Sequence, residues 1–188
     1  VLYQILAGGY LYLLWDMLRN FTRRRFILWG VLSLEIVIFL GAVVLNNFFH
    51  DIAHIDQINA SLHMGLCAVE VLTIYVAMRD MFEGPLQTVD KLWASGAIYF
   101  LSGFAFANIF NAVHLLDHGA YGTTGVVDHT SYFEGLYLSF TSLSGADNMY
   151  VNRSHLIRNL CVLECTFGQL YLVLLISRVL LPNEEVKT

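Results

Sequence analysis

The chain has 188 residues, 57% of them hydrophobic and 13% charged, with a mean hydropathy of +0.60. Soluble domains carry about 25% charged residues, so ten basic and fifteen acidic side chains are too few to clothe a water-soluble monomer of 21.3 kDa. Two prolines and a net charge of −5 exclude a disordered chain and give no footing for a nucleic-acid partner.

The first apolar stretch, Val1 to Trp15, is followed by Asp16, Arg19 and the run Arg23-Arg24-Arg25. Three readings are open: the end of a truncated span, a signal-like segment, or a helix lying in the membrane interface. The last is preferred, because Tyr3, Tyr10, Tyr12 and Trp15 suit an interfacial belt. The chain starts at Val1 rather than Met, so the natural N-terminus is expected upstream or processed.

A bilayer-spanning helix needs ~20 mainly apolar residues. Phe26 to Asn46 is the first candidate, interrupted only by Glu35. Leu62 to Met78 is the second and carries Glu70; Leu92 to Leu116 is the third and has no formal charge. Leu156 to Leu181 is the fourth. Between the last two lies Thr130 to Leu143, whose fourteen residues rise ~21 Å as a helix, too little to span. Its place between two spans predicts a re-entrant helix, followed by the polar turn Ser144-Gly145-Ala146-Asp147-Asn148. The fold class expected is therefore an all-α polytopic membrane protein, with four transmembrane helices and a re-entrant helix and loop between the last two.

Arg19, Arg23, Arg24, Arg25, Arg79, Lys91, Arg178 and Lys187 fall on one face of this topology, and only Arg153 and Arg158 on the other. The rule that cytoplasmic loops are rich in Lys and Arg places both termini in the cytoplasm, in a multi-pass protein of the plasma (inner) membrane. Cys67, Cys161 and Cys165 lie in apolar stretches without CxxC spacing and are expected to be buried thiols.

Two runs in the second half carry a family resemblance. Tyr137-Leu138-Ser139-Phe140-Thr141-Ser142-Leu143-Ser144 resembles the pore-helix run YFSFVTLT of the potassium-channel superfamily. The run from Glu164 to Arg178, ECTFGQLYLVLLISR, resembles the inner-helix run EAxxGQLYLAVLIARLV of its bacterial members. The similarity covers Leu92 to Leu181, about half the chain. It implies a two-helix pore domain over residues 92–181, assembled as a homo-tetramer in the lipid bilayer and conducting a monovalent or divalent cation. Residues 1–25 then form the interfacial helix and basic linker, 26–91 a peripheral two-helix hairpin, and 182–188 a cytoplasmic tail. The peripheral spans lack the Arg ladder of a voltage sensor.

The chain departs from the family at the filter. Potassium filters are TVGYG loops whose carbonyls replace the ion's hydration shell; here the region reads Ser144, Gly145, Ala146, Asp147, Asn148, with no Gly-Tyr-Gly. Four copies of Asp147 would form a ring favouring cations; the other reading is that Asp147 braces the turn. Gly168 is a candidate gate hinge or a point of close helix packing. Thr166 and Gln169 are candidate cavity-lining residues, or bond to a neighbouring helix.

Acids inside spans suggest function by default. Glu35 and Glu70 are expected to pair with each other or to reach Asn108 or Asn111; Glu134 and Glu164, to bond each other or Arg158. All seven histidines are placed at or beyond the outer boundary. His50 and His54, and likewise His114 and His118, have the i, i+4 spacing of a metal or proton-sensing pair. No GxSxG, HExxH, P-loop or GxGxxG is present, and the histidines do not lie at the two depths a two-haem carrier needs. The expectation is a passive cation channel with no enzymatic activity and no cofactor. The competing expectation is a non-conducting scaffold or partner subunit that keeps the pore fold.

Overall fold

The computed structural model describes residues 54–83, 88–121, 129–146 and 154–180, together with scattered helical positions between 12 and 44. Four continuous helices follow one another: α1 (Ile55–Glu83), α2 (Thr88–Leu116), α3 (His129–Leu143) and α4 (His155–Leu180). No strand occurs among the described residues.

Local chemistry sets the ends of these helices. Asp56 and Asp90 stand in the first turns of α1 and α2, where a carboxylate complements the positive end of the helix dipole. α2 stops at Asp117, whose carboxyl accepts from the Gly119 amide at 3.2 Å and whose carbonyl accepts from Ala120 at 2.8 Å. The Ser154 hydroxyl accepts from the Ile157 amide at 3.4 Å as the N-cap of α4. The Ser154 amide in turn donates to the Ala120 carbonyl at 3.0 Å, tying the start of α4 to the turn that follows α2.

Among the described residues, three helices are long and apolar enough to cross a bilayer: Ile55–Arg79 in α1, Asp90–Leu116 in α2 and His155–Leu175 in α4. α3 has 15 residues, a rise of ~22 Å, and is too short to do so. Within the first predicted span, every described residue from Gly30 to Val44 is helical. Val31 and Ile38 of that segment pack into a core cluster with Val69 and Ala77 of α1, Ala94 and Ile98 of α2, and Tyr171 of α4. Earlier in the chain, the Arg19 guanidinium lies 5.1 Å from the Trp15 ring centroid, with Tyr12 6.0 Å beyond.

α2 is the central element. α1 packs along one side of it, and α3 and α4 along others. A second core cluster joins Phe110 of α2, Leu138 of α3 and Ile157 of α4 with Ala120 and Tyr121 of the turn after α2. Large apolar side chains also cover the outside, among them Val71, Leu72 and Tyr75 on α1 and Trp93 and Phe100 on α2. Polar side chains point inward instead: Glu35, Glu70, Asn108, Asn111, Ser139 and Glu164 are all buried. That inversion suits a hydrocarbon surround, where polar groups must find partners within the protein.

Candidate functional site

α3 is held between α2 and α4 along one seam, at positions four residues apart. At its first level, Gly135 abuts Asn111 and Tyr121: a Cβ there would lie 2.5 Å from Asn111 Oδ1 and 2.7 Å from Tyr121 Oη. The Tyr121 hydroxyl donates to Asn111 Oδ1 at 3.2 Å. At the second level, Ser139 Oγ lies 2.6 Å from the Gly103 carbonyl of α2 and 2.5 Å from Glu164 Oε1 of α4. Ser139 and Glu164 are both wholly buried. At the third level, the Tyr99 hydroxyl donates to the Leu143 carbonyl at 3.2 Å, and Gly168 of α4 packs against that same carbonyl. Phe140, between these levels, fills the groove beside Gly103 and meets Phe100 and Phe104 at 5.8 and 5.7 Å.

The polar turn predicted as the filter begins as a helix stop. The Ala146 amide donates to the Thr141 carbonyl at 2.9 Å and the Gly145 amide to Ser142 at 3.0 Å. Gly145 has φ +73. This is the Schellman arrangement, which requires a left-handed residue and so favours glycine. The Ser144 hydroxyl adds a bond to the Thr141 carbonyl at 3.0 Å. Ser144, Gly145 and Ala146 are exposed, and Asp147 and Asn148 lie outside the described residues.

Beneath this cap runs the free face of α4. Ile157, Glu164, Gly168 and Tyr171 form its packed face, and the Tyr171 hydroxyl donates to the Ser95 carbonyl at 2.8 Å. Opposite them, at helical spacing, Asn159, Thr166, Gln169 and Ser177 are exposed. Thr166 and Ser177 fold their hydroxyls onto the carbonyls of Val162 and Leu174, each at 2.8 Å. Gln169 reaches toward the cap, its Nε2 lying 3.3 Å from where a Gly145 Cβ would stand. Of the predicted residues, the structure thus brings together Ser144, Gly145, Ala146, Gly168 and Gln169. Thr166 lies one turn away on the same free face.

A second polar constellation joins α1 to α2. Asn108 Nδ2 donates to Glu70 Oε1 and Oε2 at 3.1 and 3.0 Å, one of the partnerships expected for Glu70. Asn108 Oδ1 lies 2.8 Å from His63 Nδ1, and the His63 ring stacks on Tyr132 of α3 at 6.0 Å.

Other expectations are corrected. Glu164 bonds Ser139 rather than Glu134 or Arg158. Glu134 is exposed, and Arg158 Nη2 donates to His155 Nδ1 at 2.8 Å. His63 stands in the third turn of α1, and His114, in the last turn of α2, is buried against the Tyr121 ring at 4.3 Å. Of the histidine pairs, His50 lies outside the described residues. His54 precedes α1 with φ 74. The His114 and His118 rings are 6.5 Å apart, and His118 Nε2 lies 3.5 Å from Asp56. No group of three His, Cys, Asp or Glu gathers as a metal site among the described residues.

Ser139 and Tyr99 were not singled out in the sequence, although the four-residue spacing of Gly135, Ser139 and Leu143 marks one face of α3. Comparison of the chain with protein-family models, curated proteins and solved structures finds no match.

Proposed function

We propose that this chain is the subunit of a passive cation channel, in which four copies surround an axis lined by the free face of α4. The observation that carries this reading is the pair of exposed amides Asn159 and Gln169, with Thr166 between them, on a helix long and apolar enough to span. Hydrocarbon does not solvate side-chain amides, so these two call for water or a second copy of the chain. A heterologous contact closing as a ring supplies both. α3 is then the re-entrant helix, and its C-terminal end stands beside Gln169. The negative end of a helix dipole there favours a cation.

Selectivity in this reading is for cations as a class. The cap on α3 is made by the amides of Gly145 and Ala146 and the Ser144 hydroxyl, so it does not draw on the carbonyls of Ser144 to Ala146. Asp147, repeated around the axis, supplies the fixed negative charge.

The helix cap also favours a second reading, a non-conducting scaffold that keeps the fold. Flux into proteoliposomes separates the two. The channel reading expects uptake of K⁺, Na⁺ or Ca²⁺ that is lost in Asp147→Lys while the oligomer stays intact. An intact wild-type oligomer that passes none of these ions points to the scaffold.

A further inference from the structure

The Glu70–Asn108–His63 constellation takes no part in the conduction path described above, yet two of its three members are titratable. Its geometry fixes the chemistry of the imidazole. Asn108 turns its amide nitrogen to both carboxyl oxygens of Glu70. Its Oδ1 is therefore the atom that faces His63 Nδ1 at 2.8 Å. A carbonyl oxygen can only accept, so Nδ1 carries the hydrogen. In the neutral ring, the lone pair is then on Nε2.

Glu70 and Asn108 are 1% and 3% exposed, whereas His63 is only partly buried. The carboxyl and the amide are thus locked inside the bundle, and the imidazole is less enclosed than either. Proteins that use an imidazole to bind a proton or a Lewis acid hold its other nitrogen in this manner. No group of three potential metal ligands is gathered among the described residues. A proton needs one such ligand.

We infer that Nε2 of His63 is a proton-binding site, its tautomer set by Asn108 and Glu70, which reports to α3 through the stacked ring of Tyr132. Among the described residues, the titratable or charged groups facing it are Glu70 from its own helix, behind Asn108, and Tyr132 from α3; α2 contributes the neutral Asn108. Uptake of a proton makes the ring an imidazolium, with Nδ1 still donating to Asn108 and Nε2 now a donor. The Tyr132 ring then stacks against a cation, a change in the contact that seats the first turn of α3. The capped turn is at the other end of that helix. The link to conduction rests on the function proposed above; the proton site does not.

The test uses the full chain in lipid, with ¹⁵N-labelled histidine and nitrogen NMR across a pH series. The His63 signal is assigned by its loss in His63→Gln. The expected result is the Nδ1–H tautomer in the neutral ring and conversion to imidazolium as pH falls. Asn108→Leu is expected to lose the tautomer preference, and Glu70→Gln, which keeps the shape, to weaken it. A wild-type ring in the Nε2–H form, or one that never takes up a proton while the protein stays folded, overturns the proposal. Cation flux is then followed over the same pH series. A several-fold change across the His63 titration, absent from His63→Gln with basal flux retained, is the expected coupling. Equal pH dependence in both proteins overturns the coupling. A protein that conducts at no pH overturns the channel reading instead, and the ring spectra still decide the proton site.

Discussion

Gly168 of the last helix lies against the backbone carbonyl of Leu143, so that a methyl group at position 168 would overlap it. The obstacle is main chain, which no side-chain rotation moves aside. The same carbonyl accepts the Tyr99 hydroxyl, so α2, α3 and α4 meet at this one oxygen. Gly168→Ala is therefore expected to cost about 1–3 kcal/mol through overpacking. Thermal unfolding in detergent should show a lower midpoint. A variant of unchanged stability with altered opening would favour the hinge role instead.

Ser139 is the middle clamp, and its loss leaves the buried Glu164 carboxyl and the Gly103 carbonyl without the hydroxyl between them. Ser139→Ala is expected to destabilise by about 1–3 kcal/mol, the cost of stranding a buried polar group. Replacing both partners, as Ser139→Ala with Glu164→Leu, should recover part of that loss, because no carboxyl is then stranded. A double-mutant cycle on unfolding reads the coupling directly.

The free face of α4 predicts a pattern of chemical reactivity. In a background with Cys67, Cys161 and Cys165 replaced by serine, Thr166→Cys and Gln169→Cys should react with a water-soluble thiol reagent in liposomes. Tyr75→Cys and Phe100→Cys, on exposed apolar faces of α1 and α2, should not. Equal protection of all four positions would count against a watery path along α4.

The contact between His118 and Asp56 is about half exposed on both sides and joins the end of α2 to the start of α1. Pairs of this kind contribute about 0–1 kcal/mol. Asp56→Asn should accordingly unfold within a few degrees of the parent protein. A large loss would show that this end of the bundle depends on the pair.

Much of this architecture was legible along the chain. The second, third and fourth predicted spans fall inside α1, α2 and α4 but for one residue at the end of the last. The short fifteen-residue α3 stands where the sequence placed a non-spanning helix. Length and apolarity determine these elements, because the hydrocarbon core sets one dimension for all of them. The partnership of Glu70 with Asn108 was also among those expected, since an acid within a span has few polar groups within reach.

Only the tertiary structure decided which faces meet. Glu164 found Ser139, 25 residues away, rather than Glu134 or Arg158. His63 found Asn108 across 45 residues, and His114 turned inward against Tyr121. Each of these depends on how one helix is rotated and shifted against the next. A helix apolar on every side carries no stripe that fixes its rotation. What fixes it here is close packing onto three glycines, by the side chains of Phe140 at Gly103 and of Asn111 and Tyr121 at Gly135 and by the Leu143 carbonyl at Gly168, together with the few polar groups that need partners inside the bundle. The sequence by itself determined where the three long apolar helices and the short one between the last two run; the rotation that selects which polar atoms meet is a property of all of them packed at once.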